Sequence, residues 1–208
     1  MYRGIIFDFD GVIAESIKLK SDAFAELYSS FGNNIVQKVV EHHEANGGMS
    51  RYEKIKYYHE SFLQQVISNK EISELANKFS DIVIDKVITA PYVPGVLEYI
   101  KKCKNKYKLF ISTGTPTKEI KKILIGKNIL HYFNAIYGSP DKKTDHIKNI
   151  ISRFSLKPKE LLFYGDSNED LVAAERTDIP FVLVKNKFNK ILTDTYTGNS
   201  INNFLELL

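Results

Sequence analysis

An apolar run, Gly4-Ile5-Ile6-Phe7, opens the chain and stops at Asp8-Phe9-Asp10-Gly11. A short β-branched run bounded by turn residues predicts a strand buried on both faces. After Gly11 apolar residues recur at three and four for some eighty positions, which predicts helices over roughly 17–31, 34–45, 51–66 and 71–88, with no strand before about 107. The break Asn46-Gly47-Gly48-Met49-Ser50 separates two of these helices, and Ser50 is suited to cap the one starting at Arg51, with Glu53 in its first turn. Pro91 and Pro94-Gly95 then mark a hinge. Beyond them helices (94–105, 117–126, 143–154, 168–176) alternate with strands (107–112, 135–138, 161–164, 181–184), and the tail 204–208 predicts a short docking helix.

Strands alternating with helices imply right-handed crossovers and a mainly parallel sheet covered on both faces. The expected class is α/β: a doubly wound, Rossmann-like core, residues 1–15 and 92–208, interrupted by an all-helical cap, residues 16–91. A chain of 208 residues has room for one such core and a smaller satellite.

Composition narrows the partners. With 43% hydrophobic and 26% charged residues the chain is an ordinary globular one. No run is long enough to span a bilayer, and acidic residues arrive by position 8, unlike a signal peptide, so a cytoplasmic protein without a membrane partner is expected. The single cysteine, Cys103, excludes an internal disulfide and disfavours a thiolate zinc site. Adjacent His42 and His43 point in different directions on a helix and make no metal pair. The net charge of +4 comes from scattered lysines without interleaved aromatics, which argues against nucleic acid and is compatible with small anionic substrates.

Four strand ends carry chemistry. Asp8 and Asp10 face the crevice that forms at the carboxyl ends of strands in an open α/β sheet. Ser112-Thr113-Gly114-Thr115-Pro116 offers a hydroxyl and free backbone N–H groups, a small anion receptor. Lys142 and Lys143 stand at a helix start, where a cation opposes the helix dipole and is better explained by anion binding. Gly165-Asp166-Ser167-Asn168-Glu169-Asp170 brings a carboxylate to a fourth strand tip and another one turn into the next helix. Carboxylates converging on one crevice repel unless a hard cation joins them, and oxygen-only ligands suit magnesium.

In order and context these stretches resemble the four motifs of the haloacid dehalogenase superfamily, and the helical insert between the first two resembles the cap of the subgroup containing phosphoglycolate phosphatases and β-phosphoglucomutase. The resemblance implies that Asp8 is the nucleophile that forms an aspartyl-phosphate and Asp10 the general acid and base. It further implies Mg2+ held by Asp8, the carbonyl of Asp10, and Asp166, with Asp170 orienting a ligand. Thr113, the Gly114 N–H and Lys143 would hold the phosphoryl oxygens, Lys142 being the rival for the last place. True dehalogenases lack an acid at the place of Asp10, so phosphoryl transfer is implied.

The cap is expected to choose the substrate. Gly48-Met49-Ser50-Arg51 is similar to a phosphate-gripping cap loop of that subgroup, with Lys54 sharing the face of Arg51. Lys20 stands where the mutases have a histidine, which argues against mutase activity, and Glu15 replaces a common aspartate. The expected activity is a magnesium-dependent phosphatase acting on a small phosphorylated metabolite. A phosphomutase, or a non-catalytic binding protein keeping the fold, is the alternative. Lys18, Lys20, Lys54 or Lys56 would formally permit Schiff-base chemistry, with nothing to select one. Monomer and homodimer both remain open.

Overall fold

The computed structural model describes all 208 residues. Six parallel strands form one sheet in the order β3-β2-β1-β4-β5-β6: β1 (Gly4–Phe7), β2 (Lys108–Pro116), β3 (Ala135–Ser139), β4 (Leu161–Gly165), β5 (Phe181–Val184) and β6 (Ser200–Ile201). The strand order reverses on either side of β1, and this places the tips of β1, β2 and β4 around one crevice. Phe7 is the last paired residue of β1, opposite Ile111 and Tyr164, so Asp8 begins where the ladder ends.

Period-two alternation sorts the strand side chains. Ile5, Phe7, Leu109, Ile111, Leu162 and Tyr164 face one apolar cluster, while Ile6, Phe110, Leu161 and Phe163 face the other. The second cluster is closed by Ile147 and Ile150 of α7 (Lys143–Phe154) and by Ala173 and Ala174 of α8 (Asn168–Arg176). Residues buried on both faces explain why the strands read as continuous apolar runs.

Between β1 and β2 lie α1 (Ile17–Leu27), α2 (Asn33–Ala45), α3 (Arg51–Tyr57), α4 (Asn69–Thr89) and α5 (Val96–Cys103). Phe24, Val39, Ile55, Tyr58, Phe79 and Val83 of this helical region belong to the same apolar cluster as Phe7 and Ile111, so the insert's core is continuous with the apolar layer on one face of the sheet. After β2 come α6 (Thr117–Gly126) and, near the end, α9 (Lys190–Thr195).

Three of the expected helices differ from the sequence pattern. The helix expected over 51–66 is α-helical only to Tyr57 and then widens into a π-turn, Tyr58–Phe62. The wider turn lets Tyr58 and Phe62 stack with ring centroids 5.6 Å apart, while His42 stacks on Tyr57. The first helix stops at Leu27 and continues as a 3₁₀ turn, Ser29–Phe31, before Gly32 at φ +87°. The tail forms a 3₁₀ turn, Phe204–Leu207, which buries Phe204 against Phe7 and Tyr164. No helix is long and apolar enough to cross a membrane.

Candidate active site

The β1 tip is shaped by a tight turn. Phe9 points into the core and is fully buried, as are Val12, Ile13 and Ala14, so Asp8 and Asp10 emerge together on the crevice side. The turn closes through the Ala14 N–H to the Phe9 carbonyl, 3.0 Å, and the Gly11 N–H to the Ala14 carbonyl, 2.8 Å. Gly11 has φ +78°, and a Cβ there would stand 2.2 Å from Asp166 Oδ2. Only glycine allows both the backbone and the approach of Asp166.

Asp8, Asp166 and Asp170 each offer a carboxylate oxygen, all within 4.8 Å of one another, and all three side chains are buried. Ser167 fixes Asp170: its Oγ and N–H donate to Asp170 Oδ2 at 2.5 and 3.1 Å in a capping box at the start of α8. Lys143, at the first position of α7, donates to Asp170 Oδ1 at 2.5 Å and stands 3.1 Å from Asp8 Oδ1. Lys143 is buried whereas Lys142 is exposed, so of the two it is Lys143 that reaches this group.

The electrostatics fit a cation. Burial pushes the Asp8 carboxyl up to about 7 against the opposing pull of Lys143, with Asp170 and Asp10 raising it further. Burial and then Asp8 and Asp170 push Asp166 well above the usual carboxylate range. Lys143 is held above its ordinary range because Asp170 and Asp8 outweigh its own burial. One ammonium cannot neutralise three carboxylates, and buried Asp8 Oδ1 has only the Lys143 ammonium, 3.1 Å away, beside it. A hard divalent ion with oxygen ligands suits this donor set.

Asp10 is in a different setting. Ser16 Oγ donates to its Oδ1 at 2.6 Å and Lys20 Nζ to its Oδ2 at 2.5 Å, and Lys20 also donates to Thr115 Oγ1 at 2.7 Å. Burial raises its pKa, but Lys20 and these hydrogen bonds win, so the carboxyl is held below its ordinary range. Asp8 and Asp10 thus have pKa values driven apart in opposite directions.

A cavity of about 580 Å³ opens between the crevice and the insert. Asp8, Asp10, Thr113, Gly114 and Asp166 line it from the sheet side; Lys20, Gly48, Arg51 and Lys54 line it from the insert. The insert's loop lies close over the strand tips: a Cβ on Gly114 would be 2.5 Å from the Gly48 carbonyl, and one on Gly48 3.2 Å from Lys143 Nζ. Ser50 does not line the cavity; its Oγ accepts from the Tyr52 N–H and caps α3.

Arg51 lies in the cavity wall with its guanidinium engaged. Its two terminal nitrogens donate to Glu119 of α6 at 2.8 and 2.5 Å, one also reaches Ser80 Oγ at 2.6 Å, and the plane lies 4.5 Å from the Phe79 ring centroid. Both partners are buried, so this pair ties the insert to the sheet-bearing part of the chain. Removing one member of a buried pair strands the other charge and costs about 3 kcal/mol. Glu119→Ala is therefore expected to lower unfolding stability in urea by about that amount; a loss below about 1 kcal/mol would match an exposed pair instead.

Some functional positions were not legible in advance. Asn186 Nδ2 donates to Asp166 Oδ2 and Asn189 Nδ2 to the Asp166 carbonyl, both at 2.8 Å, fixing this carboxylate from the loop after β5. The polar pair following an apolar run was the available signal. Thr115, Ser16 and His43 were likewise visible only through their tertiary partners. Glu15 is exposed and has no side-chain partner at the site.

A family model described as haloacid dehalogenase-like hydrolase matches residues 5–184. The chain is similar to a phosphoglycolate phosphatase of Photorhabdus laumondii, 28% identical over 86% of this chain and 79% of the relative. It is also similar to a phosphorylated carbohydrates phosphatase of Thermotoga maritima, 24% identical over 85% of this chain and 82% of the relative. In fold it is similar to the β-phosphoglucomutase of Clostridium difficile, with TM-score 0.80, 19% identity, and 100% of this chain and 94% of the other covered. Because the matched stretch runs from β1 to β5 and carries every strand tip that builds the crevice, the chain belongs to the haloacid dehalogenase-like hydrolases.

Proposed function

We propose that this hydrolase is a magnesium-dependent phosphatase that cleaves a small phosphorylated metabolite through an aspartyl-phosphate on Asp8. The observation that carries the reading is the contrast between the two carboxylates at the β1 tip. Asp8 sits in the buried cluster suited to a cation, with Lys143 beside its Oδ1, and Asp10 is held on the cavity side by Ser16 and Lys20. Separated environments of this kind suit a nucleophile beside a group that moves protons.

Asp8 Oδ1 attacks phosphorus in line as the bond from phosphorus to the leaving oxygen breaks toward the cavity, and Asp10, entering this step with a proton taken up against the pull of Lys20, gives that proton to the departing oxygen. Thr113, the Gly114 N–H and Lys143 hold the phosphoryl oxygens as charge develops on them. Asp10, returned to its carboxylate by this transfer, then takes a proton from water that attacks the phosphoryl group on Asp8. Asp8, Asp166 and the Asp10 carbonyl would hold Mg2+, with Asp170 orienting a ligand. Bound there, it would offset the charge of the carboxylates and of the phosphoryl group. Phosphatases among the similar proteins support a phosphomonoester as substrate. The insert's packing over the site supports its role in choosing that ester, with Lys20, Arg51 and Lys54 as the residues that face it.

The test is phosphate release from a panel of phosphorylated metabolites, including phosphoglycolate and sugar phosphates, with Mg2+ and with a chelator. Release is expected only with the ion. The ion should also raise the melting temperature, since a ligand bound at about 100 times its Kd adds about 2.7 kcal/mol. This rise should be lost in Asp166→Asn. Release that persists in chelator, or an equal rise in the variant, would count against the cation site.

A further inference from the structure

Four lysine or arginine side chains are buried in this protein, and all four stand at the active site: Lys20, Arg51, Lys54 and Lys143. Three have carboxylate partners. Lys20 pairs with Asp10, Arg51 with Glu119, and Lys143 with Asp8 and Asp170.

Lys54 is the exception. It is 2% exposed, lines the cavity, and its Nζ meets only His43, with Nδ1 at 2.8 Å and the carbonyl at 3.2 Å. The carboxylates that act on it from a distance are Asp10, already bound by Lys20 and Ser16, and Glu169, exposed on α8. Lys20 from α1 and Lys143 from α7 repel it. Burial, followed by this repulsion, pushes the amine down to about 7, and burial and Lys54 hold the His43 imidazole neutral, well below its ordinary value. A buried cation without a counter-charge is costly unless an anion reaches it.

Resting on the phosphatase reading above, we infer that Lys54, oriented by His43, receives a carboxylate carried by the leaving alcohol, so that the preferred substrates are phosphomonoesters of small hydroxy acids. One ammonium beside a neutral imidazole balances a single negative charge, which matches a carboxylate better than a phosphate dianion. The fork geometry that suits a second phosphate belongs to Arg51, whose donors are spent on Glu119.

The experiment compares phosphoglycolate with 2-hydroxyethyl phosphate, which carries a neutral hydroxyl in place of the carboxylate. The wild-type protein should favour phosphoglycolate in kcat/KM. In Lys54→Met, which keeps the unbranched side chain to within one atom of its length and removes the charge, the ratio of the two kcat/KM values should fall at least about tenfold, mostly through KM for phosphoglycolate. Because the neutral ester is the internal reference, misfolding lowers both substrates and leaves the ratio alone. A wild-type ratio near one, or an unchanged ratio in the variant, overturns the inference. Calorimetric binding of both esters to Asp8→Asn, with and without Lys54→Met, separates the two readings. If no ester is hydrolysed the phosphatase reading fails, and the ratio of affinities then decides for or against Lys54 by the same tenfold criterion.

Discussion

Asp8→Asn is expected to lower phosphate release by at least about 10⁴-fold, because the amide is a poor nucleophile and residues that act as a unit are not replaced by their neighbours. The substitution keeps size and shape, so the loss should come without unfolding. The same change has a predictable effect on stability. The folded-state carboxyl of Asp8 is raised from 3.8 to about 7, chiefly by burial, so the folded protein binds this proton more tightly than the unfolded chain does. A raised acid therefore costs stability as pH climbs through that window, and the cost is fully present above it. In chelator at pH 8, Asp8→Asn should melt at a higher temperature than the wild type, and the difference should vanish toward pH 3. Phosphate release within tenfold of wild type would remove Asp8 from the reaction. A variant that melts lower in chelator would contradict the strained electrostatics of the cluster.

The second large effect is that of Asp10→Asn, and its size should depend on the leaving group. Alkyl phosphates need a proton on the departing oxygen, and loss of the donor should cost about 10²–10⁴-fold. An aryl phosphate releases a stable phenolate and needs no such proton. It should still phosphorylate Asp8, giving a burst of one phenolate per chain followed by slow turnover, because the base that activates water is also gone. Rapid-mixing absorbance with p-nitrophenyl phosphate reads both phases. Equal losses for alkyl and aryl esters, with no burst, would show that Asp10 supports the site without moving a proton.

How much of this was legible in the sequence depends on whether the determining contacts are local. Each strand tip shows as an apolar run breaking into polar residues, because a strand buried on both faces must end where the chain reaches the crevice; β1, β2 and β4 were all visible in this way. Helices α6, α7 and α8 appear at the residues that periodicity indicates, and Ser50 caps α3 as its position suggests. The π-turn at Tyr58–Phe62 was not visible, since it is imposed by aromatic packing between α2 and α3. Strand β6 and helix α9 were missed because a polar stretch of Asn, Thr and Ser carries no period. At the site, the carboxylates Asp8, Asp10, Asp166 and Asp170 stand out in the local pattern, whereas Thr113 and the choice of Lys143 over Lys142 rest on resemblance to the family's motifs. The bond from Arg51 to Glu119, 68 positions away, and the lack of a carboxylate paired with Lys54 belong to tertiary structure alone.

Those two tertiary facts alter how the cap loop is understood. Sequence pattern offers Arg51 and Lys54 together as cationic substrate ligands, whereas the structure commits one to a structural tie and leaves the other without a counter-ion. The chain is a phosphoric monoester hydrolase by family and relatives, and its selectivity is expected to reside in the residues that face the reacting centre from the insert.

The most direct measurement is mass spectrometry of the acid-quenched Asp10→Asn protein after reaction with p-nitrophenyl phosphate and Mg2+. The account predicts one added phosphoryl group, located by peptide mapping on Asp8 and absent when the ion is chelated. An unmodified chain despite a phenolate burst, or a phosphoryl group on a histidine or any residue other than Asp8, would contradict it.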